Sequence, residues 1–116
     1  MLIVFMLIES GTIEFVSSDV LLFENINNPY EERQAFVNLC LKMGKHIQPI
    51  HETILTRALE IERDQIKGLD ALHLACAEEL KVDYFITCDD KILKIYKVPI
   101  KLQNPVDFVA NILKKE

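Results

Sequence analysis

The stretch GLDALHLACAEELKVDYFITCDD, Gly68 to Asp90, sets two carboxylates at the ends of neighbouring elements. Leu69, Leu72, Leu74, Ala75, Cys76, Ala77 and Leu80 recur at helical spacing and predict a helix with a broad, largely buried apolar face. Asp70 opens that helix. After Glu78-Glu79 and the break at Lys81-Val82-Asp83, Tyr84-Phe85-Ile86-Thr87 is a β-branched and aromatic run, the composition of a buried strand, with Asp89 just beyond it. In open α/β sheets the carboxyl ends of strands and the starts of the next helices line the ligand crevice. The two acids are therefore expected to face one site.

Half of the 116 residues are apolar, enough for one core, so residues 1–116 read as a single domain. Three glycines and four prolines leave no room for a flexible linker. A net charge of −5 argues against a surface that coats nucleic acid generally, while allowing a local site that handles it. Cys40, Cys76 and Cys88 are odd in number and form no C-x-x-C, which suggests neither a disulfide framework nor a thiolate zinc site and fits a reducing cytoplasm. The apolar start, Met1 to Ile8, is too short to span a membrane and has no basic leader, so no membrane association is expected.

Outward from the central stretch, Leu2 to Glu9 reads as the end of a helix stopped by Gly11, with a strand over Thr12 to Val16. A hairpin turning at Glu9 to Thr12 is the alternative. Ser17 or Ser18 caps a helix through Val20, Leu21, Leu22, Phe23 and Ile26, ended by Asn27-Asn28-Pro29. Glu31 to Met43 is amphipathic, with Phe36, Val37, Leu39, Cys40 and Met43 inward and Gly44 as its stop. Ile47 and Ile50 flank Pro49 in a connection or short strand. His51 to Ile66 follows as a helix with Ile54, Leu55, Ala58, Leu59 and Ile61 on one face. Lys91 to Lys97 reads as a short helix, Ile100 to Leu102 as an edge strand, and Asn104-Pro105 as the start of a last helix through Phe108 and Ile112. Alternating strands and helices indicate an α/β fold with a mainly parallel sheet covered by helices.

Helix-opening D-A-L-H-L-A at Asp70–Ala75, followed by a strand ending in T-x-D at Thr87–Asp89, resembles the second half of a PIN domain. The similarity runs backward through S-S-D-V-L-L-F-E-N at Ser17–Asn25 and forward to the chain end. The resemblance implies a three-layer α/β fold with a mainly parallel central sheet and a metal-dependent nuclease of RNA phosphodiesters, similar to VapC toxins of toxin-antitoxin pairs. It also implies an antitoxin partner and a homodimer. It places catalytic, metal-holding acids at Glu24, Asp70 and Asp89, with Mg²⁺ or Mn²⁺ as cofactor, and a supporting hydroxyl at Thr87. The family's opening strand, with an acid in a pattern like L-D-T-N, has no counterpart here. The expectation is an N-terminally truncated chain that binds metal weakly, with an apolar strand ending in Asp encoded in frame upstream of Met1.

The residues keep bland readings beside these. Mg²⁺ and Mn²⁺ want hard oxygen ligands, but Asp70 and Asp89 also suit helix starts, where a carboxylate satisfies free backbone N–H groups and the dipole. Glu24 is either an acid at the core edge or one on the wet side of its helix. His73, one turn after Asp70, either touches the site or is a satisfied core histidine. Lys91, Lys94 and Lys97 share helical spacing just beyond Asp89 and either guide an RNA backbone or form a solvated face. The other reading of the whole is a non-catalytic PIN-like binding module that lost hydrolysis with its first acid.

Overall fold

The apolar stripe of the central stretch forms a 13-residue helix, α5 (Gly68–Leu80), whose Ala71, Leu74, Ala75 and Cys76 are buried. The computed structural model describes residues 2–44, 46–87, 89–96 and 100–114. Before α5 come α1 (Leu2–Glu9), β1 (Val16–Ser18), α2 (Asp19–Ile26), α3 (Glu31–Met43), β2 (His46–Gln48) and α4 (Glu52–Glu62). After it come β3 (Tyr84–Ile86), α6 (Asp90–Ile95), β4 (Lys101–Gln103) and α7 (Pro105–Lys114).

The strands pair in parallel, as alternation of strands and helices requires. β1 runs beside β2 with Ser17 opposite Ile47, and β3 beside β4 with Phe85 opposite Leu102. The sheet takes the form of these two pairs, and no ladder joins them among the described residues. Helices fill the space around them. Val20 of α2, Ile54, Ala58 and Ile61 of α4, Leu74 and Cys76 of α5, Ile92 of α6, and Tyr96 and Ile100 form one core.

Three details hold the site-bearing helices in place. Ser18 caps α2 by accepting from the Leu21 N–H at 3.2 Å, an interaction worth about 1 kcal/mol. At the other end of α2, Gln34 of α3 donates its amide to the Asn25 and Ile26 carbonyls at 2.9 and 3.3 Å, satisfying groups the helix leaves open. Buried Asn25 returns a bond to the Asn38 side chain. The far half of α5 is tied down by Glu78, which accepts a two-pronged contact from Arg57 of α4, at 2.7 and 3.1 Å, and a hydroxyl bond from Tyr96. The hydrogen bond to Glu78 holds the Arg57 guanidinium firmly protonated, and burial, with that carboxylate beside it, pushes the Tyr96 hydroxyl up.

Several expectations are corrected. The first strand lies at Val16–Ser18 instead of Thr12–Val16, because the Thr12 and Ile13 N–H groups both turn back to the Leu7 carbonyl and wrap the end of α1. Gly11, at φ +82°, makes that wrap possible. Helix α4 stops at Glu62, short of Ile66, since the chain turns through Gln65 at φ +69°. Leu55 and Leu59 face solvent: Ile54, Ala58 and Ile61 already occupy the stripe against the core, and Leu55 and Leu59 sit beside it. Leu39 of α3 and Leu69 of α5 are exposed as well. Pro99, before the last strand, and Cys88 lie outside the described residues, as does Lys97.

Candidate metal centre

Asp70 is the third residue of α5. Lys67, not Asp70, occupies the cap position, and no side chain caps that end. Among the described residues the Asp70 carboxylate accepts no hydrogen bond, so capping does not explain it. Burial pushes its carboxyl up, and the charges of Asp89 and, more weakly, Glu24 add to the effect, opposed by His73 and Lys67. Acids from α2 and the start of α6 therefore both act on the Asp70 carboxyl.

Asp89 does cap its helix. It accepts from the Lys91 and Ile92 N–H groups at 2.9 and 3.3 Å, both on Oδ1, which leaves Oδ2 without a bond among the described residues. Thr87 accepts from the Asp89 backbone N–H at 3.1 Å, so its hydroxyl shapes the turn that presents the acid. Glu24 lies on the wet side of α2, with its side chain 50% exposed, and its Oε2 is 3.3 Å from His73 Nε2. His73 thus joins Glu24 to the helix of Asp70. Lys91 and Lys94 are exposed on α6, and Lys97 is outside the described residues. His46 and His51 meet Glu14 and Glu79 at the surface, away from this group.

Among the described residues no three His, Cys, Asp or Glu side chains lie close enough together to grip one ion directly. The donor chemistry nevertheless fits a hard divalent cation: carboxylate oxygens, and an Asp70 that carries the charge of two other acids and accepts no hydrogen bond among the described residues. Lys67 is the residue that sequence reading passed over. Its position three residues before Asp70, at the head of the helix, was the available signal.

The electrostatics carry an expected result. A raised Asp70 means that the folded chain holds this proton more tightly than the unfolded chain does. That stabilisation is full below the unfolded value and is lost as pH rises through the folded value. Near neutral pH, Asp70→Asn should raise the melting temperature, by an amount that partial solvent screening keeps small. At about pH 3, where the carboxyl is already protonated, the gain should vanish. Thermal melts at the two pH values check both halves.

Parallel strand pairs clothed in helices, with Asp70 in the first turn of α5 and Asp89 capping α6, define an α/β domain of the kind whose element ends line a ligand crevice. The family model described as PIN domain matches residues 7–98, most of the chain, and the chain belongs to the PIN domain family. The family is of nuclease type and generally uses divalent metal ions. Comparison with curated proteins and with solved structures gave no match.

Proposed function

We propose that this protein is a ribonuclease that hydrolyses RNA phosphodiester bonds with Mg²⁺ or Mn²⁺, with Glu24, Asp70 and Asp89 supplying the carboxylate oxygens. The observation that carries this reading is the action of Glu24 and Asp89, both remote in sequence, on a partly buried Asp70 that makes no hydrogen bond among the described residues. When bound, a divalent cation lowers the pKa of a coordinated water and offsets charge on the phosphate. Asp89 adds its charge to the surroundings of Asp70, and Thr87 fixes the turn from which Asp89 projects. Lys91 and Lys94, exposed on the helix that Asp89 caps, attract the RNA backbone locally on a chain of net charge −5.

The chain acts in this reading as one domain in the cytoplasm, as a homodimer, and as the toxin of a toxin-antitoxin pair. No described helix is long and apolar enough to cross a membrane. With three carboxylates, one of them engaged in a cap, metal is held weakly, at about millimolar concentrations, since Mg²⁺ sheds water reluctantly. The test is cleavage of a single-stranded RNA at about millimolar Mn²⁺ or Mg²⁺. Cleavage that stops in chelator supports the reading, and cleavage that persists in chelator contradicts it.

A further inference from the structure

Each of the three histidines lies beside a glutamate, and one pair differs from the others. His46–Glu14 and His51–Glu79 are 3.7 Å apart with every side chain more than 40% exposed, the profile of surface pairs that contribute little. His73–Glu24 is closer, at 3.3 Å, and His73 is only 14% exposed, whereas Glu24 is 50% exposed. The asymmetry sets the direction of influence. A ring packed into α5 has little rotamer freedom left, while a half-exposed glutamate has three torsions to fix and no other hydrogen bond among the described residues. The pair also spans two elements, joining α2 to the helix that carries Asp70 one turn earlier.

We infer that His73 is a positioning residue: its Nε2–H donates to Glu24 and holds that carboxylate turned towards Asp70 and Asp89. The inference rests on the metal-site reading above. A carboxylate only accepts, so Nε2 is the donor, and the neutral ring suffices for the bond. Partners of this kind orient ligating groups, and their removal typically weakens metal binding about 10–100-fold. In this role His73 acts as a donor and is not itself a ligand. Its effect on metal passes through Glu24.

The test uses Mn²⁺ alone as probe, followed by the electron paramagnetic resonance signal of the free ion, with circular dichroism to verify folding. His73→Leu, which keeps bulk and removes the donor, should weaken Mn²⁺ binding about tenfold. His73→Gln, whose amide N–H reaches to a similar distance, should recover most of that loss. Glu24→Gln combined with His73→Leu should bind no more weakly than Glu24→Gln alone, because the histidine acts only through the glutamate. Should His73→Leu unfold the chain, His73→Asn, whose amide stops short of Glu24, replaces it in the same cycle. Unchanged binding in the donor-less variant, or additive losses in the double variant, would overturn the positioning role and leave the metal site standing. Absence of Mn²⁺ binding in the unmodified protein would overturn the site and the inference together.

Discussion

Asp89→Asn should leave the protein folded and lower RNA cleavage about 10²–10³-fold, the scale expected when several kcal/mol of charge stabilisation at a metal site is lost. The choice of asparagine matters because Asp89 has two jobs. Its Oδ1 caps α6 through the Lys91 and Ile92 N–H groups, and asparagine caps a helix about as well as aspartate. What disappears is the negative charge that acts on Asp70. Asp89→Ala would mix the two effects, adding about 1 kcal/mol of lost capping to the loss of chemistry. Cleavage rates measured alongside melting temperatures separate them: the asparagine variant should melt within about 1 kcal/mol of the parent while losing activity. Equal activity in parent and variant would mean that Asp89 is a cap and nothing more.

The largest effect on stability is expected at Leu74. It is fully buried on α5, at 0% exposure, and it packs in the core shared with α4 and α6. Leu74→Ala removes buried methyl groups and leaves a cavity in a helix pair that has little room to collapse, a cost of about 3 kcal/mol. For a domain of this size that lowers the melting temperature by roughly 10–15 °C. Leu59→Ala supplies the contrast. Periodicity placed Leu59 inward, but it is 62% exposed, and its truncation should cost less than about 0.5 kcal/mol. Similar losses at both positions would show that the face of α4 is misassigned.

That contrast marks where sequence reading succeeded and where it stopped. Features with a local cause were legible. Ser18 caps α2, Gly11 ends α1, Gly44 follows the last residue of α3, and α5 lies where the spacing put it, with Leu74, Ala75, Cys76 and Ala77 of its expected stripe buried and Leu69 exposed. Parallel strand polarity followed from the alternation of elements. The choice among several apolar residues on one helix was not legible, because Leu55 and Leu59 lose the core side to Ile54, Ala58 and Ile61 only once α5 is in place. The split of the sheet into two pairs depends likewise on tertiary arrangement.

The site divides in the same way. The family resemblance supplied the three acids, and local pattern alone left each with a bland explanation. For Asp89 that explanation is real, since it is a cap, although a second oxygen stays free of bonds among the described residues. For Asp70 the capping half of it fails, since Lys67 holds the cap position and Asp70 accepts no hydrogen bond among the described residues, while its place in the first turn of α5 still suits the dipole. Glu24 sits on the wet side of its helix, and its contact with His73 joins residues 49 positions apart, a pairing that no local window contains.

In the proposed site Glu24, Asp70 and Asp89 share one hydrated cation. The most direct measurement is a Mn²⁺ titration of the isotopically labelled protein followed by backbone amide NMR, in which the paramagnetic ion broadens only nearby signals. The expected result is joint broadening of the segments around residues 24, 70 and 89, abolished in Asp70→Asn. Broadening centred instead on Glu52 and Glu60 of α4, or all three segments staying sharp throughout the titration, would contradict it.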